Sequence, residues 1–270
     1  YLYAYDATGN DVELLINVNI SSKEFINDKK YYALIIGNNN YDHWDNLTSP
    51  INDVTEIAKV LKEKYKFEIP KEFLLKNANK NSIEDAFFKM NEILTEDDYL
   101  LIYYAGHGEK NESIQKAYWI PTNAKKTFDR NWISTSFVTE MIGTFKAQHV
   151  LLMVDSCFAG LLKGNDDIES DPERDLESSA YFGKMLLRKA RLYISSGSDE
   201  PVLDSADGTH SWFAKKFLDT LKANIKSIDS EELYVKINQY VQANASQRPK
   251  YKVIEETGHN EGVFIFTSKN

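Results

Sequence analysis

Two stretches of the sequence decide the fold: YLLIYYAGHG at residues 99–108 and HVLLMVDSCFAG at residues 149–160. Each begins with a continuous apolar run, which is typical of a strand in a parallel sheet buried on both faces. Each then breaks into glycine-containing sequence around one reactive side chain, His107 in the first and Cys157 in the second. Ligands bind outside the carboxyl ends of such strands, so neighbouring strands would bring both side chains to one crevice.

The rest of the chain repeats this alternation of apolar runs and helical segments. Further strands are predicted at residues 31–36, 72–76, 191–195 and 262–267. Segments with apolar residues at helical spacing lie between them, and the first is predicted to begin at Ser49-Pro50. This order predicts the α/β class, as a three-layer sandwich in which helices flank a mostly parallel central sheet.

We divide the chain into two parts. Residues 1–28 alternate apolar and polar side chains around a turn-like run, and they predict a β-hairpin extension that we interpret as the tail of an upstream domain. Residues 29–270 carry the α/β pattern and form the main domain. Within it, residues 163–178 contain seven acidic residues. We expect a solvated loop there, between the two halves of the domain.

The net charge and the cysteine count argue against several classes of protein. A net charge of -9 argues against binding nucleic acid or an anionic membrane through a broad basic face, and it suits a protein that receives cationic ligands. The single cysteine excludes an intrachain disulfide framework and a cysteine-based zinc cluster, and it fits a reducing compartment. No apolar run approaches the ~20 residues that span a bilayer. We therefore expect a soluble, cytoplasmic protein that binds neither nucleic acid nor membrane.

His107 and Cys157 each have an ordinary structural explanation when taken alone. A single histidine is more often a structural or surface residue, and a single cysteine more often behaves as a small buried apolar residue. The pair favours chemistry because both residues follow predicted parallel strands beside glycines, where a substrate backbone can approach closely. No such setting surrounds the other histidines, which are His43, His149, His210 and His259.

The motifs around the pair resemble the catalytic signatures of the caspase-like superfamily, particularly bacterial orthocaspases, metacaspases and paracaspases. They are YAGHG at residues 104–108 and DSCFAG at residues 155–160, and their separation, 157 minus 107 or 50, matches that of caspases. The likeness covers residues 31–267. It implies a cysteine endopeptidase in which Cys157 is the nucleophile and His107 the general base, with no metal or organic cofactor.

The resemblance also implies how substrate is held. The backbone amides of Gly108 and Cys157 would bind the oxyanion. In the branches that cut after Arg or Lys, an Asp at the start of the first helix and the Asp two residues before the nucleophile bind the basic side chain, and Asp53 and Asp155 match these positions. Asp204 is the candidate for a third acid. Without the resemblance, Asp53 is as well explained as an acid that complements the helix dipole.

Three differences from the family patterns indicate which branch of the caspase-like superfamily the chain resembles. The chain has Asp155-Ser156 where animal caspases have Gln-Ala, and it has Ala105 where metacaspases commonly have Ser. After Gly108 it lacks the acidic calcium-binding segment of many metacaspases. The pattern therefore resembles the orthocaspase and paracaspase side, and Asp155 implies cleavage after Arg or Lys and not after Asp.

Several alternatives stay open at the level of sequence. The chain could be a catalytically silent caspase-fold scaffold or regulatory domain, or a clostripain-like or legumain-like peptidase. As an active enzyme its partners are proteins or peptides with Arg or Lys before the cleaved bond, together with an upstream sensor domain or partner. Because proteolysis concentrates in exposed, disordered segments, Lys163 and Arg174 are candidates for self-cleavage, and the alternative is a loop that only insulates the two halves of the domain.

Overall fold

The computed structural model describes residues 3–5, 11–13, 29–111, 113–114, 116–157, 185–197 and 208–269. In chain order its helices and strands are β1 (Tyr3–Tyr5), β2 (Asp11–Glu13), β3 (Tyr31–Gly37), α1 (Pro50–Lys64), β4 (Phe67–Glu68), β5 (Leu74–Lys76), α2 (Lys80–Ile93), β6 (Tyr99–Ala105), β7 (Gly108–Asn111), β8 (Lys116–Trp119), β9 (Ile133–Ser134), α3 (Thr135–Thr144), β10 (His149–Asp155), β11 (Ala190–Ser195), α4 (Trp212–Ala223), β12 (Ile228–Asp229), α5 (Ser230–Asn244), β13 (Lys250–Val253) and β14 (Ile265–Phe266).

A seven-stranded sheet forms the centre of the molecule. Its order is β13-β11-β10-β6-β3-β4, and β5 also pairs with β3, at residues further along that strand than those paired with β4. All of these pairs are parallel except β11 with β13, which is antiparallel. The predicted α/β class with a mostly parallel central sheet is confirmed.

The two strands that carry the motifs are direct neighbours. β6 and β10 pair in parallel, with Tyr99 opposite His149 at one end and Ala105 opposite Asp155 at the other. Both strands are buried along their whole length, which explains why their sequences are apolar without alternation. Their carboxyl ends therefore lie side by side at one edge of the sheet.

Helices cover both faces of the sheet, as the three-layer prediction requires. On one face, α1, α4 and α5 bury apolar side chains against alternate strand residues such as Ile35, Leu101 and Met153. On the other face, α2 and α3 pack against the intervening residues, among them Leu34 and Ile102. Successive side chains of a strand point to opposite faces, so each buried strand contributes to both layers.

The predicted strand at residues 262–267 is wrong, because this segment does not belong to the central sheet. Residues 262–267 contain only the short β14, which pairs with β12 outside the central sheet. Their apolar side chains are buried because they pack beneath the helices, where the ring of Phe266 lies 6.0 Å from that of Tyr65. The strand that completes the sheet is β13, whose Tyr251 is buried while Lys250 and Lys252 are partly exposed. An edge strand alternates in this way, whereas the prediction relied on continuous apolar runs.

Further strands form small sheets apart from the central one. β7, β8 and β9 form a three-stranded antiparallel sheet that follows directly from the His107 turn. Near the start of the chain, β1 pairs with β2 in an antiparallel ladder within the region predicted as a hairpin. In the described ranges, no helix combines the length and the apolar character that crossing a bilayer requires.

Candidate active site

The turns after β6 and β10 bring His107 and Cys157 to the same edge of the sheet. The backbone N–H of Gly106 donates to the carbonyl of Asp155 across the two turns, at 3.4 Å. A Cβ atom placed on Gly108 would lie 2.0 Å from the carbonyl oxygen of Cys157. Only glycine permits this approach. The backbone of Gly108, the residue after His107, is therefore in direct contact with the backbone of Cys157.

The N–H of Gly108 points away from its partner strand. The N–H of Ile120 donates to the carbonyl of His107 at 3.0 Å, which makes these two residues the hydrogen-bonded type of antiparallel pair. The next pair, Gly108 with Trp119, is then of the non-hydrogen-bonded type, whose N–H and C=O groups face outward. The predicted oxyanion donor at Gly108 therefore has its N–H directed away from β8.

The ring of His107 is oriented by a backbone carbonyl that sequence motifs cannot identify. Its Nε2 lies 2.7 Å from the carbonyl oxygen of Asp45. Since a carbonyl only accepts, Nε2 carries the hydrogen of this bond. In the neutral imidazole, Nδ1 is then the unprotonated nitrogen and can accept a proton.

Aromatic side chains contact the ring of His107 and hydrogen-bond to its backbone. The ring centroids of Tyr41 and Trp44 lie 4.7 and 5.7 Å from that of His107. The His107 N–H donates to the Tyr41 hydroxyl at 2.9 Å, and the Tyr104 hydroxyl donates to the His107 carbonyl at 2.7 Å. These bonds fix the backbone of the turn as well as the ring.

Cys157, the predicted nucleophile, is partly exposed, and its sulfur forms no disulfide. Burial raises the pKa of Tyr104 well above its usual value, and Tyr41 and Cys157 add to the rise. The Cys157 thiol is thus close enough to influence the Tyr104 hydroxyl, which donates a hydrogen bond to the His107 carbonyl.

Asp53, Asp155, His210 and Ser211 form a largely buried polar group at the end of β10, which we call the acidic pocket. Asp53, in the first turn of α1, is fully buried, and its Oδ1 accepts a hydrogen bond from Nδ1 of His210 at 2.6 Å. Burial raises its pKa, although the hydrogen bond and charge of His210 oppose the rise, together with smaller contributions from Ser211 and Ser49. Its Oδ2 has no hydrogen-bond partner of normal geometry within the described part of the chain.

Asp155 belongs to the same pocket. Its Oδ2 accepts a hydrogen bond from the hydroxyl of Ser211, the residue after His210. Burial raises the pKa of Tyr103 well above its usual value, and the charges of Asp155 and Asp53 raise it further. Two acids predicted from positions 102 residues apart, 155 minus 53, therefore share one set of neighbours.

His210 is the member of this pocket that the sequence analysis missed. Its carboxylate partner lies 157 residues earlier in the chain, so no local pattern marks it. His210 does not follow a strand of the central sheet, so the pattern that singled out His107 could not identify it. The third acid candidate, Asp204, and the self-cleavage candidates, Lys163 and Arg174, lie outside the described residues.

Comparisons with known proteins agree with this fold. The family model described as the Caspase domain matches residues 30–257, a span that includes both turns and the acidic pocket. The solved structure of protein GSU0716 from Geobacter sulfurreducens is similar, with a TM-score of 0.61 at 18% sequence identity, over 85% of this chain and 97% of that chain. At such low identity the similarity concerns the fold alone. No curated protein matches the sequence.

Proposed function

The chain belongs to the caspase-domain family, and from this premise we propose that it is a cysteine endopeptidase that cuts after Arg or Lys through a Cys157–His107 dyad. The observation that supports this best is the hydrogen bond between His107 Nε2 and the Asp45 carbonyl. It leaves Nδ1 as the basic nitrogen, one residue away from the backbone contact between Gly108 and Cys157.

The reaction follows from these positions. Nδ1 of His107 takes the thiol proton of Cys157, and the resulting thiolate attacks the substrate carbonyl carbon. The oxyanion is stabilised by the N–H groups of Gly108 and Cys157. The imidazolium then gives its proton to the leaving amine as the C–N bond breaks. Water, deprotonated by His107, hydrolyses the thioester and restores the thiol.

Specificity for a basic residue rests on the acidic pocket. A buried carboxylate is unfavourable unless a cation or hydrogen-bond donors compensate it. Asp53 and Asp155 lie within one pocket, so the forked donors of a guanidinium, or the ammonium of a lysine, can compensate both. An aspartate side chain in the same place would meet two like charges. We therefore assign substrate binding to Asp53 and Asp155.

A screen of fluorogenic peptides that differ only in the residue before the cleaved bond tests the proposed function. We expect Arg and Lys peptides to be cut at least about a hundredfold faster than the Asp peptide, because like-charge contacts cost several kcal/mol. Assays with calcium and with a chelator, beside Cys157→Ala protein, complete the design. Faster cleavage of the Asp peptide would reject the pocket, and no cleavage of any peptide would favour a silent scaffold.

Asp53 makes binding of the basic side chain dependent on pH. Burial raises the pKa of this carboxyl, although the hydrogen bond and charge of His210 oppose the rise. As pH falls, protonation of Asp53 reduces the negative charge of the pocket. An Arg peptide should therefore bind more weakly at low pH. The expected loss exceeds about tenfold, since a unit charge about 4 Å away is worth about 4 kcal/mol at an effective dielectric constant of about 20.

The affinity of Cys157→Ala protein for an Arg peptide, measured from about pH 8 to about pH 5.5, isolates this effect from titration of the dyad. His210→Asn keeps a donor toward Asp53 but removes the ring charge that opposes the rise of the Asp53 pKa. We therefore expect the midpoint of the affinity loss to move to higher pH in that variant. An unchanged midpoint would show that His210 does not control the pocket.

A further inference from the structure

A cleft lies near the turn that carries His107, since Glu109 and Asn111 are among its lining residues. It has a volume of about 600 Å³, and aromatic side chains of Trp44, Phe128 and Trp132 line it together with charged residues of both signs. Trp44 also contacts the ring of His107, at 5.7 Å between centroids. Trp44 therefore links the cleft to the surroundings of His107, and no residue of the dyad or of the acidic pocket lines the cleft.

We propose that this cleft binds the substrate residues that follow the cleaved bond, and that it favours an aromatic or large aliphatic side chain at the first or second of them. The inference rests on the proposed peptidase function and extends it to the leaving side of the substrate.

The position of His107 sets the direction of the substrate chain. Its Nδ1 must protonate the nitrogen of the breaking bond, so the departing chain begins next to this ring. Each extended residue advances at most about 3.3–3.6 Å. The Trp44 ring, 5.7 Å from that of His107, is therefore within reach of the first or second residue after the bond.

The aromatic side chains of the cleft and those beside the acidic pocket belong to different clusters. Tyr103 points to the face that carries the pocket, where Asp155 and Asp53 influence its pKa. Tyr104 points to the other face, where its ring stacks on Trp119 at 4.4 Å between centroids. The residue before Trp119, Tyr118, packs edge-on against Trp132 of the cleft. A substrate that places its basic side chain in the pocket would therefore meet a different set of side chains at the cleft.

The lining of the cleft indicates which side chain it accepts. Phe128 is 70% exposed, although aromatic rings in this protein are mostly buried. Lys126 lies over the Trp44 ring at 5.3 Å, and the lysines of the lining are matched by Glu109 and Asp129. With the charges balanced, the apolar rings provide the selectivity. An aromatic or large aliphatic substrate side chain would cover Phe128 and gain from leaving water.

Paired substrates test the cleft separately from the peptidase function. Two internally quenched peptides share every residue up to the Arg and differ only in carrying Phe or Gly as the second residue after it. We expect the wild type to prefer the Phe peptide by roughly tenfold in kcat/KM, and Phe128→Ala to bring this ratio close to unity. Phe88→Ala is the matched control, because Phe88 is also exposed, at 52%, but lies on α2 away from the cleft. It should keep the wild-type ratio.

The outcomes separate the two proposals. Cleavage of both peptides with a ratio that Phe128→Ala leaves unchanged would overturn the cleft while the peptidase stands. Failure of the wild type to cut either peptide, or the matching Arg aminocoumarin amide, would reject the peptidase function and the cleft with it. A ratio lost in Phe128→Ala and kept in Phe88→Ala supports the cleft.

Discussion

Replacing Cys157 or His107 with alanine should lower kcat/KM for an Arg peptide by at least about a thousandfold, because each variant lacks a group that moves electrons or protons in the proposed reaction. The losses should not add in the double variant, since the two residues act as one unit. The measurement is hydrolysis of a fluorogenic Arg peptide by purified protein.

Folding provides the control for these two variants. Both side chains lie at the sheet edge and are partly exposed, so their removal should leave the thermal unfolding midpoint almost unchanged. A thiol alkylator should modify the wild type once, at Cys157, and more slowly in His107→Ala because the base that generates the thiolate is missing. Substantial turnover by pure Cys157→Ala protein would end the assignment.

The second large effect is expected from the acidic pocket. Asp53→Asn or Asp155→Asn should lower kcat/KM for Arg peptides by roughly thirtyfold to several thousandfold, the equivalent of about 2–5 kcal/mol for loss of one partner of a buried charge pair. Asn can still accept the hydrogen bonds from His210 and Ser211, so the change removes charge more than shape. Discrimination against Asp peptides should weaken in parallel.

The matched control is Asp229→Asn. Asp229 is equally buried, but it caps α5 by accepting from the N–H groups of Glu231 and Glu232, and Asn caps a helix as well as Asp does. Its activity and its preference for Arg should equal those of the wild type. Alkylation of Cys157 should stay normal in the Asp53 and Asp155 variants. Undiminished cleavage of Arg peptides by both variants would show that the basic side chain binds elsewhere.

The two acids illustrate how a binding pocket can be unfavourable until it is used. Burial raises the pKa of Asp53 in spite of the donor from His210. Before substrate binds, His210 compensates the buried carboxylate of Asp53, and the substrate cation is proposed to compensate it afterwards. The pocket would therefore respond to pH and to substrate through the same carboxylate.

The sequence by itself determined the central strands and the two motifs. The apolar runs of β6 and β10 are local patterns, and burial on both faces of a parallel sheet requires them wherever the strands pair. His107 and Cys157 follow those runs within three residues, so their common edge could be predicted as soon as the strands were taken as neighbours. The edge strand β13 was missed because its alternating pattern differs from the one that marked the others.

Only the tertiary structure decided which polar groups face one another. His210 lies 157 residues from Asp53, and the contact depends on where α4 begins relative to α1. The Asp45 carbonyl that orients His107 is a backbone atom, which every residue type possesses and no motif can mark. The rings of the cleft come from separate loops, and their spacing is set by how those loops pack on the sheet. Local periodicity encodes burial, whereas the pairing of distant polar and aromatic groups exists only after the chain has folded.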